Sequence, residues 1–440
     1  MRRGMAMLSR LSVAGLFILS ASHAADATSV ELPTAPAAPM PLSHLIIGRH
    51  LEVGPTRALK QPSEAAAIAK TGDTIDIDVG TYAGDVASWR ADGIVIRGVG
   101  GKSPSDRVRL LADGNSAENK AIWVIKGRNT QVENIEFTGA AVYAGNGAGI
   151  RAEGVNIRIV NCYFHDNQEG ILGSAYRTGS TIEIENSEFA RNGGNGGQSH
   201  EIYINNSQRL IVRGSYFHEG REGHLIKSRA EMNVIIANRI TDEAGGKASY
   251  EIEFPNGGLN IVVGNLIEKN TGAQNNTLLA NAFEDASNTV QELYVVNNTF
   301  VNDLGRGDFI RIRSPSRATV ANNIFIGGGN VLVGEGVLRN NLLAPGTGGT
   351  PTIDQSLFRS GTIDEKGTLT AGDAGLVNTA GFDYRLRADS PAIGAGIPLE
   401  SVSFEALTPL FEYEHPARAN PVAGASSSQP VDIGAYRYPR

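Results

Sequence analysis

The sequence predicts one all-β solenoid, a single-stranded parallel β-helix, and three observations carry that reading. Short segments of similar texture recur: Val132-Glu133-Asn134-Ile135-Glu136-Phe137, Ile159-Val160-Asn161-Cys162-Tyr163-Phe164, Ile184-Glu185-Asn186-Ser187-Glu188-Phe189, Val296-Asn297-Asn298-Thr299-Phe300 and Ala321-Asn322-Asn323-Ile324-Phe325. From Phe137 through Phe164, Phe189, Phe217, Ile240, Ile267 and Phe300 to Phe325 the steps are 27, 25, 28, 23, 27, 33 and 25 residues. A period of that length with several strands per repeat and an asparagine at the corner describes stacked β-coils. The composition agrees, with 53 glycines for tight corners and only 6% aromatic residues, so the core is built from many small aliphatic contacts. Leucine-rich repeats lack support because neither their leucine consensus nor a helix per repeat is present, and propeller blades need longer repeats.

Taken in order, the chain begins with Arg2, Arg3 and Arg10, an apolar run from Leu11 to Leu19, and small residues to Ala24. This pattern predicts a signal peptide over residues 1–24, too short to anchor in a bilayer, and export to the periplasm or beyond. Residues 25–44, rich in Ala, Pro and Thr, read as a flexible spacer. Pro62 to Lys70 reads as a short helix capped by Ser63 and closed at Gly72, placed to cover the open edge of the first coil. Asp73 to Val79 alternates cleanly and is expected as the first strand. The solenoid is expected over 45–343. Beyond Leu343 the texture turns rich in Gly, Thr and Pro, and 344–440 read as a tail packed on the solenoid's end.

The net charge of −7 argues against a nucleic-acid partner. Cys162 is the single cysteine, which excludes an internal disulfide and a lipid anchor at the cleavage site. A monomer is expected.

The stretch 200–254 carries the candidate chemistry. It holds three near-parallel lines: His200-Glu201-Ile202-Tyr203-Ile204, Gly223-His224-Leu225-Ile226-Lys227-Ser228-Arg229 and Ser249-Tyr250-Glu251-Ile252-Glu253-Phe254. Stacked on consecutive coils, they put Ile202, Ile226 and Ile252 in one inward column and Tyr203, Lys227 and Glu253 in one outward column. Neighbouring outward groups then lie about 4.8 Å apart.

The helix before Gly72-Asp73-Thr74-Ile75, the Gly80-Thr81-Tyr82 turn, the asparagine-bearing coils, and Ser390-Pro391-Ala392 with Asp432-Ile433-Gly434-Ala435 in the tail make the chain resemble the pectin-lyase-like superfamily. These are secreted, right-handed parallel β-helix proteins that act on polysaccharides. Lys227-Ser228, followed by a strand with Asn233 and Asn238, resembles in part the alginate-lyase and B-type chondroitinase pattern, which implies a catalytic lysine at Lys227. Ile226 stands where that pattern has asparagine. Glu251-Ile252-Glu253 stands where it has an arginine–histidine pair. A glutamate pair binds calcium in those proteins, which makes Glu251 and Glu253 the candidate calcium ligands here.

Eliminating across a uronate linkage needs a cation on the carboxylate, a base for the adjacent proton and an acid for the departing oxygen. Lys227 is the candidate base, its pKa expected to be depressed by Arg229. Arg229 or Arg151 is the carboxylate partner. Tyr203 serves as acid or alternative base, assisted by His200 or His224, and Arg151, Tyr250 and Glu253 line the substrate surface. The sequence thus favours a lyase on an acidic polysaccharide. A polysaccharide-binding β-helix without catalysis and a glycoside hydrolase on the same fold remain alternatives. The structural alternatives are an ion-pair ladder for Lys227, Arg229, Glu251 and Glu253, and turn-capping hydrogen bonds for the two histidines.

Overall fold

The architecture follows from a three-strand repeat. The computed structural model describes residues 48–100, 106–173, 179–354, 362–422 and 430–439, all within one unit, His44–Arg440. The expected signal peptide and spacer lie outside them. In one coil, Val155–Val160 joins a thirteen-strand sheet, Tyr163–His165 a twelve-strand sheet and Glu169–Gly173 a ten-strand sheet. In the next coil Thr181–Glu185, Glu188–Ala190 and Ile202–Ile204 pair with them in parallel. The chain is a parallel β-helix.

Each coil places like residues above like. Phe137, Phe164, Phe189 and Phe217 stack face to face with centroid spacings of 4.9, 5.0 and 4.6 Å. Along the ten-strand sheet Ile150, Ile171, Ile202, Ile226, Ile252, Leu279, Ile310 and Leu332 form one fully buried column. Burying such side chains on every coil supplies the main driving force for stacking.

The asparagine corner resolves into two lines. Between the thirteen- and twelve-strand sheets the chain turns through one left-handed residue, among them Asn134, Asn161, Asn186, Asn297, Asn322 and Asn340 with φ from 47° to 57°. Asparagine tolerates this conformation better than most residues. The following residue forms a buried ladder of Asn238, Asn265, Asn298, Asn323 and Asn341. The backbone N–H and side-chain amide of each donate to the Oδ1 of the next, at 2.9 and 3.0 Å from Asn238 to Asn265. That ladder pairs polar groups that burial would otherwise leave costly.

Three expectations at the ends change. A strand precedes the helix: His50–Val53 pairs with Thr74–Asp78, so the solenoid starts before the expected first strand. The helix, Pro62–Ile68, is shorter than expected and does not use Ser63 as its cap. Instead Glu64 accepts the N–H groups of Lys60 and Gln61, while Ser63 N–H donates to Asp85. At the other end, Ile363–Lys366 and Leu369–Thr370 extend two sheets past Leu343.

The tail then runs back along the outside, where the expectation was a plug on the solenoid's end. Tyr384, Ile433 and Ala435 pack on the outward residues Leu266, Val301, Ile324 and Leu342 of the twelve-strand sheet. Leu407 packs on Ile261 and Val263 of the thirteen-strand sheet. The left-handed corner line serves as its rail: Asn340 Nδ2 donates to Ala395 O, Asn322 Nδ2 to Ile397 O and Asn297 Nδ2 to Asp432 O, and Asn186 Oδ1 accepts Ala419 N–H. Outward apolar residues on these coils explain the route, since a tail at the end alone would leave them in water.

Candidate functional site

The tail covers the twelve-strand and thirteen-strand faces and leaves the ten-strand face to carry the expected patch. There Ile202, Ile226 and Ile252 pair in the expected register, which puts Tyr203, Lys227 and Glu253 in one outward column. Arg151 stands in the same column two coils before Tyr203, with Leu172 between them.

Lys227 is enclosed by anions. Its Nζ lies 3.2 Å from Glu253 Oε2 and 2.8 Å from Glu284 Oε1, and 5.4 Å from the centre of the Tyr203 ring. Burial alone would lower its pKa, but Glu253 and Glu284 outweigh burial and raise it. The expected depression by Arg229 is therefore overturned, because the two carboxylates dominate the field at Nζ and keep the ammonium protonated.

Arg229 donates from Nε to the Tyr203 hydroxyl at 2.8 Å and from Nη1 to Asn256 Oδ1 at 2.5 Å, and pairs through Nη2 with Glu284. One phenol oxygen thus receives a fixed cationic donor beside a protonated lysine. Arg151 is different: its Nε and Nη1 are buried without a hydrogen-bond partner, and the Glu153 carboxylate stands 4.0 Å from Nε.

The two histidines are held by backbone. His200 Nδ1 accepts the N–H of His224 at 3.0 Å, and His224 Nδ1 accepts that of Tyr250 at 3.3 Å, so each neutral ring carries its proton on Nε2. His224 Nε2 then reaches Glu253 Oε2 at 3.0 Å. Burial pushes both imidazoles below their usual range, most strongly His200, which His224, Lys227 and Arg229 push further. These rings position the strands and Glu253. Tyr250 packs beside His224, ring centroids 4.9 Å apart.

Glu251 leaves the site. Alternation would put it outward with Glu253, but two consecutive residues turn inward at the corner before each of these strands. Leu225-Ile226, Leu278-Leu279 and Phe309-Ile310 are such pairs in the core, and Glu251 occupies the corresponding place. Its carboxylate is fully buried 3.0 Å from Lys269 Nζ, also fully buried. Those double-apolar pairs were the sequence signal for the corner. The two glutamates expected to share calcium therefore point apart. Among the described residues no group of three or more His, Cys, Asp or Glu side chains is placed to hold a metal ion.

Sequence reasoning missed Glu284, Asn256 and Glu169. Glu284 and Asn256 sit on the loops after two successive strands of the sheet, which no periodicity could place. Glu169 precedes His200 by one coil, accepts its N–H at 3.0 Å and is driven well above the usual carboxyl range by burial.

The family described as "Right handed beta helix region" matches residues 176–343. A crystal structure of pectate lyase Pel9A superposes with a TM-score of 0.59 at 16% identity, covering 88% of this chain and 96% of that one. The chain has a right-handed parallel β-helix fold. An alginate lyase from Paenibacillus sp. str. FPU-7 aligns at 15% identity over 70% of this chain and 95% of that one, TM-score 0.33. A mutant of the alginate lyase AlyGC aligns at 16% identity over 89% and 59%, TM-score 0.35. No curated protein matches this β-helix in sequence. No helix among its described residues is long and apolar enough to cross a membrane.

Proposed function

We propose that this β-helix cleaves an acidic, uronate-containing polysaccharide by β-elimination on its ten-strand face. One observation carries the reading: the Tyr203 hydroxyl receives Arg229 Nε at 2.8 Å, with the Lys227 ammonium on the same outward face. Elimination needs a proton carrier next to cationic charge, and that is what these three residues form.

Lys227, held protonated, takes the role of the cation on the substrate carboxylate together with Arg229, where it stabilises the charge that builds up as the neighbouring C–H bond breaks. Tyr203 Oη, reacting as the phenolate after its own proton has passed to solvent, takes that proton. The electron pair forms the ring double bond and expels the glycosidic oxygen, to which Tyr203 returns the proton. Arg229 Nε remains a fixed donor to the phenol oxygen through both steps. Arg151, two coils away in the same outward column, adds a third cation to this face. The name pectate lyase on the structural neighbour with a TM-score of 0.59 is consistent with this substrate class.

The test is near-ultraviolet absorbance from the new double bond, with polygalacturonate and alginate as substrates. Tyr203→Phe should lose the rate by about 10²–10⁴-fold with folding intact. A variant within tenfold of the wild-type rate would remove Tyr203 as proton carrier. New reducing ends without absorbance would remove elimination itself.

A further inference from the structure

Glu284 reaches the centre of the site from outside it. It belongs to the segment between the strands Thr277–Asn281 and Gln291–Val296. Its two carboxylate oxygens are divided between the two cations, Oε1 on Lys227 and Oε2 on Arg229. A carboxylate that engages an ammonium and a guanidinium in this way has the chemistry of a bound uronate.

The segment's backbone is tied down. Ala282 N–H donates to Phe254 O at 2.9 Å and Glu284 N–H to Pro255 O at 3.1 Å. Asn288 Nδ2 donates to Ala230 O and Gly257 O, each at 3.0 Å, and Asn256 Nδ2 to Ser287 Oγ at 2.9 Å. The Glu284 side chain, by contrast, is 42% exposed. Only that side chain has to rotate for the two cations to become available, and its own exposure lets water solvate the carboxylate once it leaves them. Lys227 and Arg229 hold its carboxyl below the usual range although burial alone would raise it, so it is a charged occupant.

We propose that Glu284 is a built-in placeholder for the substrate carboxylate, displaced when a free uronate binds to Lys227 and Arg229. This rests on the elimination reading for the site's purpose and adds a displacement step to it. An ionised uronate replaces the charge that Glu284 withdraws, whereas an esterified one leaves Arg229 without that anion and Lys227 with Glu253 alone. The two cations thus favour free over esterified uronates, and Glu284 adds a displacement cost that either ligand must meet.

Titration calorimetry with trigalacturonate, trimannuronate and methyl-esterified trigalacturonate tests this on wild type, Glu284→Ala and Glu284→Gln, with thermal unfolding checked for each. Removing the placeholder should tighten binding of a free uronate by up to roughly tenfold. The esterified ligand should gain by a similar factor, because it displaces the same carboxylate. Wild-type binding that neither variant improves would overturn the placeholder and leave elimination standing. Absence of uronate binding in all three proteins would overturn both. If Glu284→Ala binds unchanged but loses turnover, Glu284 is part of the proton machinery and the placeholder is again overturned.

Discussion

Lys227→Met isolates the charge at the centre of the site, since methionine keeps most of the stem and removes the ammonium. Two carboxylates lose their partner. Glu284 is 42% exposed, so its share of the loss is at most about 1 kcal/mol. Glu253 is 3% exposed and keeps His224 Nε2 at 3.0 Å. Removing one member of a buried pair costs about 3–5 kcal/mol, and the surviving histidine points to the lower end, about 3 kcal/mol. The loss should depend on pH. In the wild type His224 and Lys227 hold the Glu253 carboxyl below its ordinary value of 4.5, although burial alone would raise it and Glu284 opposes them. A carboxylate depressed on folding contributes stability above its unfolded value and loses it as the pH falls through the folded one. Without Lys227 burial dominates, the carboxyl rises, and protonation relieves the strain as pH falls. Protonation of His224, no longer opposed by Lys227, acts in the same direction. The deficit should therefore be largest near pH 8 and shrink toward pH 5. Urea unfolding of both proteins at the two pH values measures it. A deficit equal at both, or below about 1 kcal/mol near pH 8, would refute the buried pairing from which the protonated state of Lys227 was argued.

Asn265→Ala breaks the buried ladder at its second rung, where the side chain donates to Ile235 O and Asn298 Oδ1 and accepts from both nitrogens of Asn238. Leaving those groups without partners should cost at least about 3 kcal/mol, read from the urea midpoint; an unchanged midpoint would mean the ladder adds nothing. Gly214→Ala tests the tail's seat. With φ at 62°, an added Cβ would stand 2.4 Å from the Ala419 nitrogen, so limited proteolysis should reach the segment around Ala419 faster in the variant than in wild type. Equal cleavage rates would show that the tail tolerates the methyl group.

The inward column at Ile202, Ile226 and Ile252 was legible because a coil of nearly fixed length and a period of two leave little freedom in register. Tyr203, Lys227 and Glu253 followed from the same rule. Glu251 did not, because alternation fails at the corner, where two successive residues face the core. Lys227 could be placed but its protonation could not: Glu284, one of the two carboxylates that raise its pKa, arrives on a loop 57 residues later. The tail's direction was hidden for a similar reason. Leu266, Val301 and Ile324 face outward, and only the assembled sheet shows that they need a cover.

A β-helix ordinarily holds together by contacts between adjacent coils, so it can unzip one coil at a time from either end. The returning tail changes that. It grips the corner at Asn340, Asn322, Asn297 and Asn186, joining coils that never touch one another. Losing the last coil therefore also means detaching a strap seated on coils far up the solenoid. Fraying from that end is converted into one cooperative event, and the strands carrying Lys227 and Glu253 lie inside the bound span. A protein with no disulfide to lock its coils has the equivalent of a binding along its spine.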